Sequence, residues 1–449
     1  MNRQFDAIVI GTGQSGPALA VRLAAAGWKV AIVERARYGG TCVNTGCIPT
    51  KTLIASAYAA NLARRAADYG VMIDAAVSVD MRRVKTRKDQ VAGEASAGVE
   101  KWLKRTANLT VIEGHARFDS ATAVRVNDDV LEAGKIFVNV GCRALVPPMP
   151  GLEGSGYLTN SSIMDVDFLP EHLVIIGGSY IGLEFGQMYR RFGARVTVIE
   201  KAPHIIARED SDVIEAVTTI LRDDGVTIET VAECMQVEKR GKQVAVKLDC
   251  AGSAREVEGS HLLLAVGRVP NTGDLGLDKA GVKIDARGYI TVDDKLNTSV
   301  PGVWAIGDCN GRGAFTHTSY NDYEIVADNL LSGASRSVNN RLTAYALFID
   351  PPLGRVGMTD TEIRKSGRRA LVGMRPMTRV GRAIEKGETK GFMKIAVDAD
   401  SKEILGAAIL GVGGDEAVHC ILDTMYAKAP YTALQRAVHI HPTVSELIP

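Results

Sequence analysis

Two cysteines near the amino end of the chain, Cys42 and Cys47, carry the residue type with the most versatile chemistry in this sequence. They are separated by four residues within the stretch 39–51, which reads GGTCVNTGCIPTK. A pair at this spacing closes a small disulfide if the loop between the cysteines bends back, and Gly46 supplies the backbone freedom for that bend. The residues alone leave open a redox-active disulfide, a structural disulfide, half of a metal site, or two buried thiols.

Two of these alternatives have little support in the surrounding residues. A metal site needs further ligands at metal-binding spacing, and none lies near the pair. A structural disulfide that closes so short a loop adds little stability. On the residues alone, a redox-active disulfide and two buried thiols both stay open, and we predict no resident metal site.

A glycine-rich loop of the kind that binds a dinucleotide precedes the cysteines. An apolar strand at 6–10 leads into the loop, a helical segment at 17–26 follows, and a second apolar strand ends at Glu34. Glu34 lies 18 residues after Gly16, close to the ~20 expected for an acid that binds ribose hydroxyls. The order of strand, loop, helix, strand and acid predicts a dinucleotide site formed by Gly11, Gly13, Ser15, Gly16 and Glu34.

The same order recurs in the middle of the chain. An apolar strand at 173–176 precedes a second glycine loop, and the strand 196–199 ends at Glu200. A carboxylate at that position repels a 2′-phosphate and accepts hydrogen bonds from free ribose hydroxyls, so we expect NADH to be favoured over NADPH. The predicted contacts of this second nucleotide are Gly177, Ser179, Tyr180, Ile181, Gly182 and Glu200.

The bulk composition restricts the class of protein. The chain has 449 residues, enough for about three domains, and its 53 basic and 52 acidic residues leave a net charge of +1. With aromatic residues at 5%, neither nucleic acid nor a membrane is an expected partner. Neither a signal peptide nor an apolar stretch of membrane-spanning length is apparent, and seven scattered cysteines do not suggest a secreted disulfide framework. We therefore expect a cytoplasmic protein.

Six segments in order, at 11–16, 39–51, 177–184, 265–271, 305–309 and 441–446, carry a family resemblance. Over essentially its whole length the chain resembles the class I pyridine nucleotide–disulfide oxidoreductases, flavoenzymes that include dihydrolipoyl dehydrogenase and mercuric reductase. The resemblance implies an α/β fold with two Rossmann-like dinucleotide-binding domains, for FAD and NAD(P), plus an α+β C-terminal dimerisation domain. The predicted domains are 1–147 for FAD, 148–266 for NAD(P), 267–335 as a central domain completing the FAD site, and 336–449 for dimerisation.

The resemblance also implies a path for electrons from the nicotinamide through the flavin to a Cys42–Cys47 disulfide. In this family the cysteine at Cys47 lies against the flavin, and the one at Cys42 exchanges with the substrate. Lys51 and Glu184 correspond to an ion pair beside the flavin. Tyr180 matches a ring that covers the nicotinamide pocket and swings away when the nucleotide binds.

His441 and Glu446 match the acid–base pair of the family. A carboxylate on the second ring nitrogen fixes the histidine tautomer, which suits the ring to protonating a departing thiolate. Because this histidine reaches the disulfide of the other subunit in the family, the resemblance implies an obligate homodimer.

Further residues are implied in cofactor binding by their positions in the family's motifs. The stretch 139–142 lacks the hydroxyls that usually flank its glycine, so we expect backbone contacts to FAD there. These further contacts are Gly40, Thr41, Lys51, Ala116, Gly141, Gly267, Asp308 and His317.

The predicted function is an FAD-dependent NAD(P)H oxidoreductase that reduces a small-molecule disulfide, a thiol compound or a soft metal ion. Residues 445–449 hold no cysteine pair and the first residues hold no Cys-x-x-Cys, so we do not expect mercury to be the main substrate, in spite of the resemblance to mercuric reductase. One alternative is a dihydrolipoyl dehydrogenase, which sends electrons to NAD+. An alternative of another class is a non-catalytic flavoprotein that acts as a binding or regulatory module.

Overall fold

The chain divides into two compact units, each assembled from three segments of the sequence. The computed structural model describes residues 2–232, 234–250 and 253–448. The first unit comprises Met1–Thr52, Lys85–Leu145 and Gly267–Arg341, and the second unit comprises Leu53–Val84, Val146–Val266 and Leu342–Pro449. The finer division into four domains at 147, 266 and 335 stays a prediction.

The helices range in length from four residues in α7 and α12 to 25 in α4. In chain order the helices are α1 Gly16–Ala25, α2 Gly40–Asn44, α3 Cys47–Arg64, α4 Met81–Arg105, α5 Tyr180–Phe192, α6 Ser211–Asp223, α7 Leu277–Ala280, α8 Thr316–Ser332, α9 Asp360–Ser366, α10 Gly381–Glu385, α11 Gly414–Tyr426 and α12 Thr432–Gln435.

The strands are short and most have a buried face. In chain order they are β1 Asn2–Gln4, β2 Ala7–Ile10, β3 Val30–Glu34, β4 Leu109–Glu113, β5 Ala116–Ser120, β6 Ala123–Val126, β7 Asp129–Glu132, β8 Ile136–Val138, β9 Cys142–Ala144, β10 Leu158–Thr159, β11 His172–Ile176, β12 Arg195–Ile199, β13 Val226–Glu229, β14 Cys234–Arg240, β15 Gln243–Cys250, β16 Ser253–Gly259, β17 His261–Leu264, β18 Arg268–Pro270, β19 Val303–Ala305, β20 Ala344–Leu347, β21 Leu353–Gly357, β22 Ala370–Pro376, β23 Phe392–Asp398 and β24 Ile404–Leu410.

The first unit is built on a parallel sheet in the order β19-β8-β2-β3-β4. Its strands are continuous apolar runs such as AIVI in β2, whose residues are all buried, as expected for a parallel sheet covered on both faces. A four-stranded sheet in the order β1-β7-β6-β5 and the pair β18-β9 complete the strands described in this unit. Helices α1 and α8 contribute side chains to the core, including Leu19, Leu23 and Ile325.

The second unit contains a second parallel sheet and an antiparallel one. The parallel sheet has the order β10-β17-β11-β12-β13. The chain between β13 and β17 forms a three-stranded antiparallel sheet in the order β14-β15-β16. The carboxyl-terminal segment forms a five-stranded antiparallel sheet in the order β20-β21-β24-β23-β22, and α11 packs on β21 and β24. The two parallel sheets and this final α+β layer confirm the predicted fold class.

Residues 52–105, which the composition indicates as helical throughout, form two helices with an irregular stretch between them. Helix α3 ends at Arg64, and a short turn then closes at Gly70, whose φ is +75°. Asp80 restarts the helix, because its Oδ1 accepts hydrogen bonds from the amides of Arg82 and Arg83 at 3.0 and 3.2 Å. Across the described residues, no helix combines the length and apolar character that crossing a membrane requires.

Candidate active site

The first glycine loop connects β2 to the start of α1. Gly11 has a φ of +102°, and a Cβ there would lie 2.4 Å from the carbonyl oxygen of Asn139. A Cβ on Gly16 would lie 2.2 Å from the carbonyl oxygen of Gly11. Only glycine fits these positions, and the loop leads the chain into a helix N-terminus, where backbone amides and the helix dipole favour phosphate. The donors of this loop therefore fit the pyrophosphate of a dinucleotide such as FAD.

Asn139 holds this loop from the end of the neighbouring strand, a role that the sequence analysis missed. Its Oδ1 accepts a hydrogen bond from the Gly16 amide at 3.0 Å. Its Nδ2 donates to the carbonyl of Ile306 at 3.0 Å and to Ser15 Oγ at 3.3 Å. The buried side-chain amide of Asn139 thus fixes the loop, and the backbone contacts to FAD expected in 139–142 stay a prediction. The available signal was a polar residue directly after the buried run of β8.

Glu34 ends β3 with its carboxylate already oriented by backbone amides. Its two oxygens accept hydrogen bonds from the amides of Thr12 and Ala36, both at 2.9 Å. An ionised carboxylate keeps further acceptor capacity beyond two such bonds. Glu34 is thus positioned to accept ribose hydroxyls beside the loop.

Asp308 lies directly after β19, and its carboxylate forms an ion pair with Arg268. The turn that presents it is held by Asp322 of α8, whose Oδ2 accepts the Gly307 amide at 2.8 Å. Asp322 is 2% exposed, and burial raises its pKa while the neighbouring Arg341 guanidinium opposes that rise. Neither Asp322 nor Arg341 belongs to a motif that the sequence analysis recognised, so neither was predicted.

The other predicted FAD contacts also lie in the first unit, mostly at backbone turns. Gly40 begins α2 with a φ of +63°, and a Cβ there would lie 2.9 Å from Gly13 Cα. Gly141 and Gly267 also have positive φ, and each accepts a backbone hydrogen bond, from Asn271 at 3.0 Å and from Leu145 at 2.9 Å. The remaining contacts are Thr41 in α2, buried Ala116 at the start of β5, and exposed His317 in α8, which stacks on Phe315.

Cys42 and Cys47 stand in adjacent helices of the first unit, and both are free thiols. Cys47 is the first residue of the 18-residue α3, and its Sγ lies 3.3 Å from Thr316 Oγ1. The hydrogen bond with Cys47 and, second, burial raise the pKa of the half-buried Cys42 thiol. A helix N-terminus stabilises a thiolate, so the start of α3 would favour a thiolate at Cys47, the sulfur predicted to lie against the flavin.

The second glycine loop, in the second unit, repeats the geometry of the first. Gly177 has a φ of +115°, and a Cβ on Gly182 would lie 1.9 Å from the Gly177 carbonyl oxygen. Ser179 is the N-cap residue of α5, and the first two residues of the helix are Tyr180 and the exposed Ile181. The loop and the helix N-terminus again fit a pyrophosphate.

Glu200 at the end of β12 is held by two backbone amides, as Glu34 is. Its carboxylate oxygens accept hydrogen bonds from the amides of Gly178 at 2.6 Å and Ala202 at 2.8 Å. That Glu200 binds the ribose of the second nucleotide stays a prediction.

The predicted Lys51–Glu184 ion pair draws on both units, and its formation stays a prediction. Lys51 is half-buried in α3, one turn after Cys47. Glu184 is buried in α5, where its Oε1 accepts the amide of Phe348 at 3.0 Å.

His441 and Glu446 are in contact in the second unit. The Nδ1 of His441 lies 3.0 and 3.1 Å from the two carboxylate oxygens of Glu446. The His441 side chain is 79% exposed, whereas that of Glu446 is 12% exposed. With Nδ1–H donated to the carboxylate, Nε2 is the nitrogen available to exchange a proton with a reacting group.

The pyridine nucleotide-disulphide oxidoreductase family model matches residues 5–322, and the dimerisation-domain model of the same family matches residues 343–449. The chain belongs to this family. It is 37% identical to the “Probable pyridine nucleotide-disulfide oxidoreductase RclA” of Escherichia coli strain K12, over 99% of this chain and 98% of that one. It is also 32% identical to a dihydrolipoyl dehydrogenase of Cupriavidus necator, over 100% and 97% of the two chains.

A solved structure of the Escherichia coli relative overlays with a TM-score of 0.91 at 36% identity, covering 99% of this chain and 98% of that one. It is described as the Cu(II) complex of an HOCl-induced flavoprotein disulfide reductase. A mercuric reductase of Streptomyces lividans is 30% identical, over 99% of this chain and 94% of that one. Membership in this family makes the chain a flavoprotein oxidoreductase that uses FAD and a pyridine nucleotide and carries a homodimerisation domain.

Proposed function

We propose that this protein is an NAD(P)H-dependent disulfide reductase that acts through Cys42 and Cys47. The observation that carries the proposal is the geometry of the pair. Cys47 is the first residue of a long helix, and the Cys42 thiol shares a hydrogen bond with Cys47. The two sulfurs therefore have different surroundings, which a structural pair does not need. A pair that relays electrons needs this difference, because one sulfur holds charge while the other reacts.

FAD, when bound, supplies the relay between a hydride donor and the cysteine pair. Gly11, Gly13 and Gly16 with Glu34 would hold its pyrophosphate and ribose, and Lys51 would set the charge beside its ring. Gly177 and Gly182 with Glu200 would hold the nicotinamide nucleotide in the same way. These assignments are proposals that rest on the loop geometry and on family membership.

The reaction with a disulfide then follows from thiol chemistry. Cys42 loses its proton to a base and attacks one substrate sulfur, so that a Cys42–substrate bond forms and the substrate S–S bond breaks. Cys47 next attacks the Cys42 sulfur, which closes the Cys42–Cys47 disulfide and releases the second substrate thiol. The substrate gains two electrons from the cysteine pair. It also gains two protons, one that Cys42 gave to the base and one from solvent.

His441 of the partner subunit is the proposed base and acid in this sequence. The raised pKa of Cys42 makes a base necessary for its attack, and the departing substrate sulfur needs a proton in return. The hydrogen bond from Nδ1 to Glu446 fixes Nε2 for both transfers. An obligate homodimer with the four predicted domains is part of this proposal.

Cu(II), which becomes the soft ion Cu(I) on reduction, is the metal ion that we propose as an acceptor beside small disulfides. The support is the relative whose structure is described as a Cu(II) complex. Two Cu(II) ions would each take one electron, leaving two Cu(I) ions, a Cys42–Cys47 disulfide and the proton that Cys42 releases. The alternative, dihydrolipoyl dehydrogenase, draws on the relative of that name and reverses the electron flow.

An anaerobic steady-state assay with NADH and NADPH separates these possibilities. The acceptors are glutathione disulfide, lipoamide, Cu(II) and Hg(II), and dihydrolipoamide with NAD+ tests the reverse direction. We expect reduction of a disulfide or Cu(II) that Cys42→Ser abolishes and Cys420→Ser, in α11, leaves intact. If no acceptor is reduced faster by the wild type than by Cys42→Ser, the proposal is wrong. Faster NAD+ reduction by dihydrolipoamide would establish the alternative.

A further inference from the structure

Two tyrosines of the second unit share one carboxylate oxygen. Oε1 of Glu209 accepts a hydrogen bond from the Tyr180 hydroxyl at 2.9 Å and another from the Tyr345 hydroxyl at 2.6 Å. The two rings also contact each other, with centroids 5.5 Å apart. Tyr180 is the first residue of α5 and Tyr345 lies in β20. The carboxylate therefore ties the start of a nucleotide-binding helix to a strand of the carboxyl-terminal sheet.

The carboxylate at the centre of this contact is deeply buried. Glu209 is 7% exposed, and its Oε2 has no hydrogen-bond partner within the described part of the chain. Its nearest cation is Arg355, whose guanidinium nitrogen is 4.0 Å away and which forms its shorter ion pair, at 2.8 Å, with Asp210. A charged acceptor in such surroundings makes hydrogen bonds about twice as strong as a neutral one does.

Both phenols are donors at this carboxylate throughout the ordinary pH range. Burial, reinforced by the charge of Glu209, raises the pKa of Tyr180 and of Tyr345. The Tyr180 ring thus cannot leave its position without giving up a hydrogen bond to a buried carboxylate.

We propose that Glu209 is a positioning residue that latches the Tyr180 ring over the nicotinamide pocket and thereby weakens nicotinamide binding. The inference rests on the proposed function and on the role that the family resemblance implies for Tyr180, whose ring covers the pocket until the nucleotide enters. Opening requires the Tyr180–Glu209 hydrogen bond to break, so the latch reduces the fraction of open molecules. The apparent dissociation constant of a ligand that needs the open state rises by the inverse of that fraction.

Calorimetric binding of NAD+ and of ADP-ribose to the oxidised holoenzyme tests the latch without turnover. ADP-ribose lacks the nicotinamide and needs no opening, whereas NAD+ does. Tyr180→Phe keeps the ring and removes the hydroxyl, so it should bind NAD+ about three- to tenfold more tightly than the wild type does. ADP-ribose affinity should stay within about twofold. Glu209→Gln, which keeps a neutral acceptor, should tighten NAD+ binding less than Tyr180→Phe does.

Tyr345→Phe is the matched control, because it removes the neighbouring donor and leaves the Tyr180–Glu209 hydrogen bond in place. Its NAD+ affinity should not exceed that of the wild type. The latch is excluded if Tyr180→Phe leaves NAD+ affinity unchanged, or if Tyr345→Phe tightens it equally, while ADP-ribose binds normally. Failure of the wild type to bind either ligand would instead refute the nucleotide site on which the inference rests.

Discussion

At the scale of single residues, Glu34 and Glu200 lie in distant parts of the chain, and backbone amides hold both carboxylates in the same way. Each carboxylate follows a buried parallel strand, and each accepts hydrogen bonds from an amide of its glycine loop and from the amide two residues further on. These bonds fix both oxygens before any ligand arrives. Held in this way, the Glu200 carboxylate is expected to repel a 2′-phosphate.

Glu200 should therefore set the choice of nicotinamide nucleotide. We expect kcat/KM for NADH to exceed that for NADPH, and we expect Glu200→Gln to shift the ratio toward NADPH by about tenfold, equivalent to ~1.4 kcal/mol. Steady-state kinetics with both nucleotides measures the ratio. Glu229→Gln is the control, because Glu229 ends the neighbouring strand and pairs with Arg255 instead. A tenfold preference of the wild type for NADPH would contradict the assignment.

At the scale of elements, the ends of the strands in the first parallel sheet are joined by side chains from other segments. Asn139, at the end of β8, bonds to the first residue of α1 and to the carbonyl of Ile306 after β19. The side-chain amide of Asn139 thus joins the ends of β8 and β19 to the start of α1. The loop is fixed by this contact as well as by the conformations of its glycines.

Asn139→Ala should lower the affinity for FAD, because the Gly16 amide loses the shorter of its two hydrogen bonds and keeps only the one to the Gly13 carbonyl at 3.2 Å. Loss of a buried hydrogen bond costs ~1–3 kcal/mol, so we expect roughly a tenfold or greater rise in the dissociation constant of FAD. Quenching of FAD fluorescence on reconstitution of the apoprotein measures it. Asn339→Ala, an exposed asparagine of the same unit, should bind FAD as the wild type does. Equal FAD affinity in the two variants would exclude a role for Asn139.

Elements whose parts are close in sequence were predictable, and those joined by distant contacts were not. The glycine loops and the strands that end at Glu34 and Glu200 each lie within about 30 residues, the span of one βαβ unit. The contact between His441 and Glu446 likewise lies within five positions. Asn139 acts on a residue 123 positions away and Glu209 on one 136 positions away. No local pattern reports such partners, because the topology of the sheets brings them together.

At the scale of the whole molecule, the proposed function requires a dimer in which both subunits contribute residues to each active site. The dimerisation-domain match covers 343–449, the segment that contains His441. His441→Ala should slow disulfide turnover by roughly 10²–10⁴, the usual contribution of a positioned acid–base group. Reduction of the bound FAD by NADH should stay close to the wild-type rate, because His441 has no role in that step.

Mixing inactive variants tests the shared site directly. Subunits of Cys42→Ser and His441→Ala, exchanged at equal concentration, should form heterodimers in which one site carries both substitutions and the other carries neither. Random pairing makes half of the dimers mixed, so about one quarter of the wild-type activity should return. Activity that does not recover after verified subunit exchange would show that the histidine acts within its own chain.

One measurement tests most directly whether electrons from a nicotinamide nucleotide reach the Cys42–Cys47 disulfide. The oxidised holoenzyme is alkylated under anaerobic conditions before and after one equivalent of NADH, and the labelled cysteines are identified by mass spectrometry. Buried Cys142 and Cys309 serve as internal references. We expect Cys42 and Cys47 to be protected from alkylation before reduction and to become labelled after it, in step with NADH oxidation. Labelling of both cysteines to the same extent with and without NADH would contradict it.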